Sequence, residues 1–387
     1  MVDKPRILVI SFSNIAKDAR VLRQLSVVKE FGEVTTLGYG PHPANFMTHL
    51  QVPDGFASLP QTISGVAKLA LRRLTAAELA APGAQWGLEA LAGQKFDVVI
   101  ANDARALPLA FACKGEAKIW VDLHEWAPEE RTQILVWRLL VKPLMVHICR
   151  KYLPQVDAAT TVGGKIAELY AQNFGIRPRL MRNAPRYVEL APSAVDKNTL
   201  RLVHSGGAVA GRNIEVTIDA VKELGDKASI DFYLIPANDG GKYLGELRAR
   251  ADGAENICFH EPVAPADLPR TLNQYDVGVF WIPPFNTNAR FTLPNKIFDF
   301  IQARLALAIG PTVEMVEVLQ HYDCGVVAAD FTKEAIVESL RSLTPEKIAH
   351  FKENSARAAQ ELNFEKEAEV ARDILREFLT AEGTKSS

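Results

Sequence analysis

The sequence predicts an α/β protein with two consecutive domains, each built on a parallel sheet. Short runs of β-branched and other apolar residues alternate with helix-length segments along the whole chain of 387 residues. This alternation is typical of parallel strands joined by crossover helices, and runs that are apolar throughout indicate strands covered on both faces. The length exceeds that of a typical single core and suits two domains.

The first half of the chain contains five predicted strands. Its helices include Ala19–Phe31 and a long segment Ile134–Tyr152, in which Pro143 favours a kink or a division into two helices. Between Pro41 and Gly93 the pattern loosens, and we predict a less regular helical region that forms an excursion from the sheet. The predicted strands are Arg6–Ser11, Glu33–Gly38, Phe96–Ala101, Lys118–Leu123 and Ala158–Val162.

The second half begins after Asn183–Asn198, where prolines and polar residues interrupt the pattern. We predict an N-terminal domain over residues 1–190, a C-terminal domain over 191–365, and a final helix with a polar tail over 366–387. The charged segment Thr344–Phe378 is predicted to be helical. The predicted strands are Leu200–His204, Ile230–Ile235, Asn256–Phe259, Val277–Trp281, Ala306–Ile309 and Gly325–Ala328.

The composition is that of an ordinary soluble protein. A net charge of −2 argues against general nucleic-acid binding, because no basic excess is available to neutralise phosphates. The four cysteines are scattered without a paired spacing, so neither a disulfide framework nor a zinc site is indicated. No apolar leader or membrane-spanning stretch is evident, and we expect a cytoplasmic protein.

The stretch Leu293–Gly310 carries the clearest functional signal. It predicts a helix that starts near Pro294 and buries one apolar face, which leaves Lys296 and Asp299, three residues apart, as neighbours on the other face. A cation and a carboxylate at a helix N-terminus suit a ligand that bears both phosphate and hydroxyl groups. The alternative is a solvated surface pair.

A second candidate site follows the first strand of the second domain. Gly206 and Gly207 end that strand, and the next residues lead into a helix predicted over Ile214–Leu224. A glycine turn before a helix directs backbone amides at an anion, and the guanidinium of Arg212 is suited to bind a diphosphate with two hydrogen bonds. The alternative is a tight turn with a solvated arginine.

Five motifs occur in an order that resembles the family-4 retaining glycosyltransferases of the GT-B fold. The resemblance implies two Rossmann-like domains that face each other across a cleft, with a C-terminal helix that crosses back to the first domain. It also implies a nucleotide-sugar donor on the C-terminal domain and an acceptor on the N-terminal one. The motifs are Asp18-Ala19-Arg20-Val21, Asp122-Leu123-His124-Glu125, Arg182-Asn183-Ala184-Pro185, Ser205-Gly206-Gly207 with Arg212, and Leu293-Pro294-Asn295-Lys296.

The resemblance implies roles for individual residues. His124, Glu125 and Lys296 would act at the reacting centre, with Lys296 near the donor phosphates and Asp299 at the nucleotide ribose. The donor side would also include Gly206, Gly207, Arg212 and Asn295. Ser13, Asn14 and Asp18 are assigned to the acceptor side, although for Asp18 and Arg20 we favour a structural role in capping and bracing the helix.

The sequence departs from the family pattern at two positions. Phe291 stands where the first of two paired glutamates is expected, which leaves the identity of the sugar and the retaining mechanism open. Arg304 replaces a glycine after the helix. We find no Asp-x-Asp pair of the metal-dependent kind, so neither a metal nor another cofactor is expected.

The function we expect is transfer of a sugar, of the hexose kind, from a nucleoside diphosphate to an acceptor hydroxyl. The acceptor would be a saccharide or a lipid-linked precursor in bacterial surface polysaccharide or glycolipid synthesis. The basic amphipathic segment Ile134–Tyr152 is suited to contact the inner face of the membrane, although a packing helix with solvated charges is the commoner structure for such a pattern. Alternative functions are a sugar-nucleotide epimerase or hydrolase, or a non-catalytic scaffold.

Overall fold

The computed structural model describes residues 4–44 and 48–380. The chain forms two compact units, one of them comprising the residues up to Arg182 together with those from Glu367 onward, and the other Asn183–Lys366. Each unit contains a parallel sheet covered by helices. The predicted α/β class and the two parallel sheets are confirmed. The predicted polar tail beyond residue 380 lies outside the described residues.

The first unit is built on a seven-stranded sheet in the order β3-β2-β1-β4-β5-β6-β7. Every strand pair in it is parallel. Strand β4 is buried along its whole length, as its uninterrupted apolar run predicted. The strands are β1 Arg6–Asn14, β2 Glu33–Tyr39, β3 Thr48–Gln51, β4 Val98–Asn102, β5 Lys118–Leu123, β6 Ala158–Thr161 and β7 Arg179–Leu180.

Helices cover both faces of this sheet. The helical character predicted for Pro41–Gly93 is present as three helices. The interpretation of the whole region as an excursion from the sheet was wrong, because it also contributes the edge strand β3. Strand β7, with two residues, was also missed. The helices are α1 Ala19–Val28, α2 Ile63–Ala70, α3 Leu74–Ala77, α4 Pro82–Ala90, α5 Leu107–Cys113, α6 Lys142–Tyr152 and α7 Gly164–Phe174.

The long helix predicted over Ile134–Tyr152 changes its geometry near the proline. Trp137–Val141 forms a π-helical segment, and α6 begins directly after it with Pro143 in its first turn. Proline has no amide to donate and its ring crowds the preceding turn, which explains a local widening at this position. The division into two segments that Pro143 favoured is therefore present.

The second unit is built on a six-stranded sheet in the order β10-β9-β8-β11-β12-β13. Its strands are β8 Leu200–Ala208, β9 Ala228–Pro236, β10 Ile257–His260, β11 Val277–Phe280, β12 Ala306–Ile309 and β13 Gly325–Val327. Its helices are α8 Ile214–Leu224, α9 Lys242–Ala251, α10 Leu268–Leu272, α11 Thr287–Arg290, α12 Asn295–Gln302, α13 Val313–Tyr322, α14 Lys333–Arg341 and α15 Pro345–Glu361.

The turn after β8 differs from the predicted glycine turn. Gly206 and Gly207 belong to the strand, which continues to Ala208, and the chain turns instead at Gly211 and Asn213, both with positive φ. Asn213 is the N-cap residue of α8, and its side chain donates to the carbonyl of Phe331 rather than capping the helix. The bounds of α8 agree with the prediction.

The last helix, α16 Phe364–Thr380, starts in the second unit and belongs to the first from Glu367 onward. The carboxylate of Glu367 accepts a hydrogen bond from the backbone amide of Arg182. The guanidinium of Arg372 donates to both oxygens of Glu30 at 3.0 and 3.1 Å. The C-terminal helix therefore returns to the first unit, as the fold class implied.

Arg304 occupies a position where the backbone requires positive φ. Its φ is +60°, and it follows α12 in a Schellman arrangement, in which Leu305 N donates to Phe300 O and Arg304 N donates to Ile301 O. Glycine is the usual residue there because it has no Cβ. Here the buried guanidinium offsets the strain by donating to the carbonyls of Val188 (2.6 Å), Leu190 (3.2 Å) and Gln302 (2.7 Å).

These contacts predict that the wild type is more stable than Arg304→Gly, and that Arg304→Gly is more stable than Arg304→Ala. Arg304→Gly removes the strain but leaves three carbonyls without their donor, and we expect a loss of about 2–4 kcal/mol in the free energy of unfolding. Arg304→Ala loses the same hydrogen bonds and keeps the positive φ, so it should be less stable than the glycine variant by about 1 kcal/mol. Urea denaturation of the two variants and the wild type measures both differences. A glycine variant as stable as the wild type would contradict the role of the guanidinium.

Candidate functional site

The second sheet reverses its strand order between β8 and β11, and this is the place in a parallel sheet where ligands bind, beyond the carboxyl ends of the strands. His204, Gly206 and Gly207 lie on β8, and Arg212 follows in the turn before α8. Lys296 lies in the first turn of α12, with Pro294 as the N-cap. The structure thus brings His204, Gly206 and Lys296 together.

Lys296 is buried, with 7% of its surface exposed. Its Nζ atom lies 3.1 Å from Nε2 of His204 and 4.2 Å from the ring centroid of Phe280. A Cβ atom at Gly206 would lie 3.5 Å from the same Nζ, and the φ of Gly206 is +108°. Lys296 is therefore not half of a solvated surface pair, and the strand passes close to it at Gly206, where the positive φ favours glycine.

Burial determines the protonation of this pair. It lowers the pKa of Lys296 to about 7, with a further decrease from Arg212 and an opposing effect of Asp299. Burial, followed by the charge of Lys296, holds the pKa of His204 well below its usual value. His204 is thus a neutral imidazole, and its Nδ1 donates to the carbonyl of Val279 at 3.0 Å, which leaves Nε2 to accept from Lys296.

The remaining residues assigned to the donor lie around this centre at different distances. Asn295 opens α12, and its Oδ1 accepts a hydrogen bond from Nδ2 of Asn183. Arg212 and Asp299 act on Lys296 through their charges. Phe291 lies after α11, with the guanidinium of Arg290 5.2 Å from its ring centroid, and brings no carboxylate.

The first unit has its own polar cluster, which follows the carboxyl ends of β4 and β5. Asp122 lies at the bottom of this cluster, is fully buried, and binds Arg20 through two hydrogen bonds of 2.6 and 2.8 Å. Thr160 also donates to Asp122 at 2.7 Å, and Arg20 donates to the carbonyl of Met181. Burial works against the charge of Asp122, but Arg20 and His124 outweigh it and hold the pKa of this carboxyl well below its usual value.

His124 lies above Asp122 and is partly exposed. Its Nε2 is 3.3 Å from both Asp122 Oδ2 and Asn102 Oδ1, and its Nδ1 is 3.6 Å from Asp103 Oδ2. Burial disfavours the imidazolium, yet Asp103 and Asp122 together raise the pKa of His124. The ring is therefore surrounded by carboxylates, and it is suited to hold a proton near neutral pH.

Asp103 is a residue that the sequence analysis missed. Its backbone has φ +67° and ψ 155°, a conformation that glycine adopts readily and other residues rarely. Its carboxylate accepts from the backbone amide of His124 at 3.3 Å. Asp103 thus orients His124 from the end of the neighbouring strand, and no local sequence pattern indicates that contact.

Glu125 belongs to the same cluster, with Arg105 and Glu130. Arg105 donates to both oxygens of Glu130 at 2.7 and 2.8 Å. Partial desolvation, followed by the carboxylates of Glu130 and Asp103, raises the pKa of Glu125. Because the side chain remains accessible to solvent, water screens these interactions and limits the rise. The hydroxyl of Tyr170 donates to the carbonyl of Glu125 and accepts from the amide of Ala127, which fixes the loop.

The residues assigned to the acceptor side differ in their surroundings. Ser13 lies near the end of β1, and its hydroxyl is 2.9 Å from that of Ser11. Asn14 lies at an irregularity in the register of β1, and its side chain packs against Gly40 in the space that a Cβ atom there would fill. Asp18 accepts from the amides of Arg20 and Val21 and is the N-cap of α1. Its side chain is thus occupied in capping, because the first amides of a helix need an acceptor.

Comparison of the sequence with protein-family models and with curated proteins gives no match. Comparison with solved structures finds the same fold. The α,α-trehalose-6-phosphate synthase of Burkholderia multivorans has a TM-score of 0.67 at 10% identity, with 98% of this chain and 100% of that chain covered. Sucrose-phosphate synthase of Thermosynechococcus elongatus has a TM-score of 0.69 at 11% identity, with the same coverage.

A third similar structure is HepE of Anabaena in complex with UDP and glucose, with a TM-score of 0.65 at 14% identity over 99% of this chain and 100% of that one. The chain has the GT-B fold. At these identities the likeness concerns the architecture, and the predicted fold is thereby confirmed. The roles of the individual site residues stay predictions.

The buried Arg20–Asp122 pair predicts a large effect of a single substitution. Arg20→Met leaves the carboxylate of Asp122 buried without its cation, and we expect a loss of about 3–5 kcal/mol in the free energy of unfolding. The matched control is Arg179→Met, which breaks the exposed pair with Glu377 and should cost less than about 1 kcal/mol.

The same variant should change the pH dependence of stability. The depressed pKa of Asp122 contributes stability above the unfolded-state pKa of about 3.9, and that stability is lost as the pH falls. In Arg20→Met the pKa of Asp122 rises, so this contribution disappears at a higher pH. Urea denaturation over a pH series measures both effects, and equal losses in the two arginine variants would contradict them.

Proposed function

We propose that the protein is a glycosyltransferase that moves a sugar of the hexose kind from a nucleoside diphosphate to an acceptor hydroxyl, with retention and without a metal. The observation that carries the proposal is the buried Lys296, held by a neutral histidine at the strand-order reversal of the second sheet. The GT-B fold supports it, since the similar structures are those of glycosyltransferases.

The chemistry follows from the charges. Cleavage of the bond between a sugar and a diphosphate leaves negative charge on the leaving oxygen, and preorganised cations stabilise this charge more in the transition state than in the ground state. Lys296 and Arg212 would supply the cations, and the helix N-terminus at Asn295 adds its dipole. Two fixed cations perform the task that a magnesium ion performs elsewhere, which is why we propose a metal-independent reaction.

In the first unit, His124 and Glu125 would act near the reacting centre and the acceptor. Asp103 and Asp122 favour the protonated ring of His124, and its Nδ1, 3.6 Å from Asp103 Oδ2, would donate a hydrogen bond to the sugar or the acceptor. Glu125 is suited to receive a hydroxyl proton or to orient the acceptor. Ser13 and Asn14 would line the acceptor side. The saccharide or lipid-linked acceptor and a role in bacterial surface polysaccharide or glycolipid synthesis rest on the family resemblance.

Two other functions have particular observations in their favour. A non-catalytic scaffold is favoured by Phe291, which brings no carboxylate to the expected sugar contact. A sugar-nucleotide epimerase or hydrolase would use the same donor site without an acceptor. Nucleotide binding separates the scaffold from both enzymes, and sugar transfer to an added acceptor separates the two enzymes.

We further propose peripheral contact with the inner face of the plasma membrane. Seven of the large apolar residues that are exposed in the described part of the chain lie on α2, just after it, and around the π-helical segment. They are Ile63, Val66, Leu71, Ile134, Leu135, Val136 and Leu139. Arg72 joins the two segments by donating to the carbonyl of Leu139 at 2.8 Å.

Cations accompany these apolar side chains. An open cavity of about 570 Å³ beside them is lined by Arg138, Lys142, Arg150 and Lys151, among other residues, and Arg72, Arg73 and Arg131 are exposed nearby. Apolar side chains among arginines and lysines suit the interface of an anionic bilayer. No helix within residues 4–44 and 48–380 is long and apolar enough to cross a membrane.

The donor site predicts a thermal-shift result. We expect one nucleoside diphosphate among UDP, GDP, ADP and dTDP to raise the melting temperature of the wild type by on the order of 5 °C at saturating concentration, equally with magnesium and with EDTA. UDP is the first probe because HepE binds it. Lys296→Met and Arg212→Met should abolish the shift, and Lys242→Met, at an exposed lysine of the same unit, should keep it. A shift that needs magnesium contradicts the metal-free proposal, and no shift at all favours the scaffold.

The apolar and basic surface predicts selective binding to lipid. The protein should sediment with phosphatidylcholine vesicles that contain phosphatidylglycerol, less with phosphatidylcholine alone, and less at high salt because the charges are screened. The double variant Leu135→Ser with Val136→Ser should weaken binding at least about tenfold. Ile235→Ser, an exposed apolar position of the second unit, is the control. Equal binding of both variants, or none by the wild type, would contradict membrane contact.

A further inference from the structure

His204 is buried beneath the proposed donor site, and neither the motifs nor the family resemblance assign it a role. Its ring lies between Phe232 and Phe280, at centroid distances of 6.0 and 6.1 Å. Its two nitrogens have different partners, the carbonyl of Val279 on one side and the ammonium of Lys296 on the other. The histidine therefore joins the central strands of the sheet to the first turn of α12.

We propose that His204 is a positioning residue for Lys296, and that anion binding at this site is coupled to the uptake of a proton by Lys296. The first part rests on the 3.1 Å contact between the two side chains. The proposal deepens the proposed function and rests on it, because it concerns the same diphosphate site.

The geometry explains why the imidazole serves as the acceptor. The carbonyl of Val279 can only accept, so Nδ1 of His204 must carry the proton and Nε2 presents its lone pair to Lys296. Aromatic rings and the neighbouring cation disfavour a second charge on the histidine. An ammonium has three donors, so Lys296 can bind His204 with one and a phosphate oxygen with another.

Proton uptake follows from the groups that face Lys296. They are His204 on β8, Phe280 on β11, Arg212 before α8 and Asp299 on α12. In the unliganded site burial and Arg212 favour loss of the lysine proton, and the pKa is about 7. An anion favours the charged form, so the pKa rises on binding. Affinity should thus be constant below pH 7 and should fall above it, as each binding event takes up a proton.

Two variants of the full-length chain separate the two bonds of His204. In His204→Asn the side-chain amide can replace Nδ1 as donor to Val279 but is too short to reach Lys296. In His204→Gln the longer amide oxygen can accept from Lys296, and the bond to Val279 is lost. Inorganic pyrophosphate is the probe, because its binding needs neither a nucleotide base nor glycosyl transfer. Calorimetry in buffers of different ionisation enthalpy counts the protons taken up.

We expect His204→Asn to bind pyrophosphate about tenfold more weakly than the wild type, the loss typical of a hydrogen bond to a charged group. Proton uptake should begin at a lower pH in this variant, because the ammonium has lost an acceptor. His204→Gln should stay within about threefold of the wild type with a similar pH profile. Lys296→Met should lose the affinity, and with it the proton uptake.

Several results would overturn the proposal. Equal losses in both histidine variants would assign His204 to packing, and wild-type behaviour in both would leave it without a role at Lys296. If Lys296→Met loses binding while both histidine variants keep it, the donor site stands and the role of His204 falls. If the wild type does not bind pyrophosphate, the donor site and the role of His204 fall together.

Nitrogen NMR of the wild type provides a measurement that does not depend on the histidine variants. His204 should show the tautomer protonated at Nδ1, and the resonance of its Nε2 should move in Lys296→Met. An unchanged Nε2 resonance would overturn the contact even if His204→Asn fails to fold.

Discussion

The buried ammonium of Lys296 is the constraint on which the second unit depends, because no fully buried carboxylate among the described residues is paired with it. Lys296 lies under β8 with an imidazole and an aromatic ring as its nearest partners. Such an environment disfavours the ammonium, and the anion of the proposed function would stabilise it. The fold maintains this arrangement because β8, β11 and α12 each contribute one wall to a well-packed core. The positive φ of Gly206, which suits glycine, brings the backbone of β8 close to the ammonium.

In the first unit, by contrast, the buried charge is paired with an opposite charge. Asp122 has Arg20 as a two-point partner, and Thr160 and His124 complete its shell. The charge of Asp122 is thus compensated within the protein, and the Arg20–Asp122 pair provides a rigid support for His124. The two units therefore place their reactive groups by different means, a completed ion pair in the first and an incomplete cation site in the second.

The sequence predicted what depends on local pattern. Strands β5 and β12 and helix α8 have the predicted bounds, because uninterrupted apolar runs and amphipathic periods are local signals. Strands β3 and β7 were missed because they are short edge strands whose pairing depends on distant partners. Lys296 was recognised from its motif, whereas His204 lies 92 residues away, and the contact between them follows from topology alone. The positive φ of Asp103 likewise has no local sequence signal.

The replacement of the expected glutamate by Phe291 has a consequence for the proposed chemistry. With Asp299 as the carboxylate that faces Lys296 and Arg212, the positive charges outnumber the negative ones at the donor site. Binding energy is then directed at the diphosphate rather than at the sugar hydroxyls, because a phenyl ring offers them no acceptor. Selection among sugars must therefore come from polar groups elsewhere, and the short helix Thr287–Arg290 directly before Phe291 is where such groups lie closest in the chain. In the proposed reaction the site would thus stabilise the departing nucleotide first and recognise its sugar second.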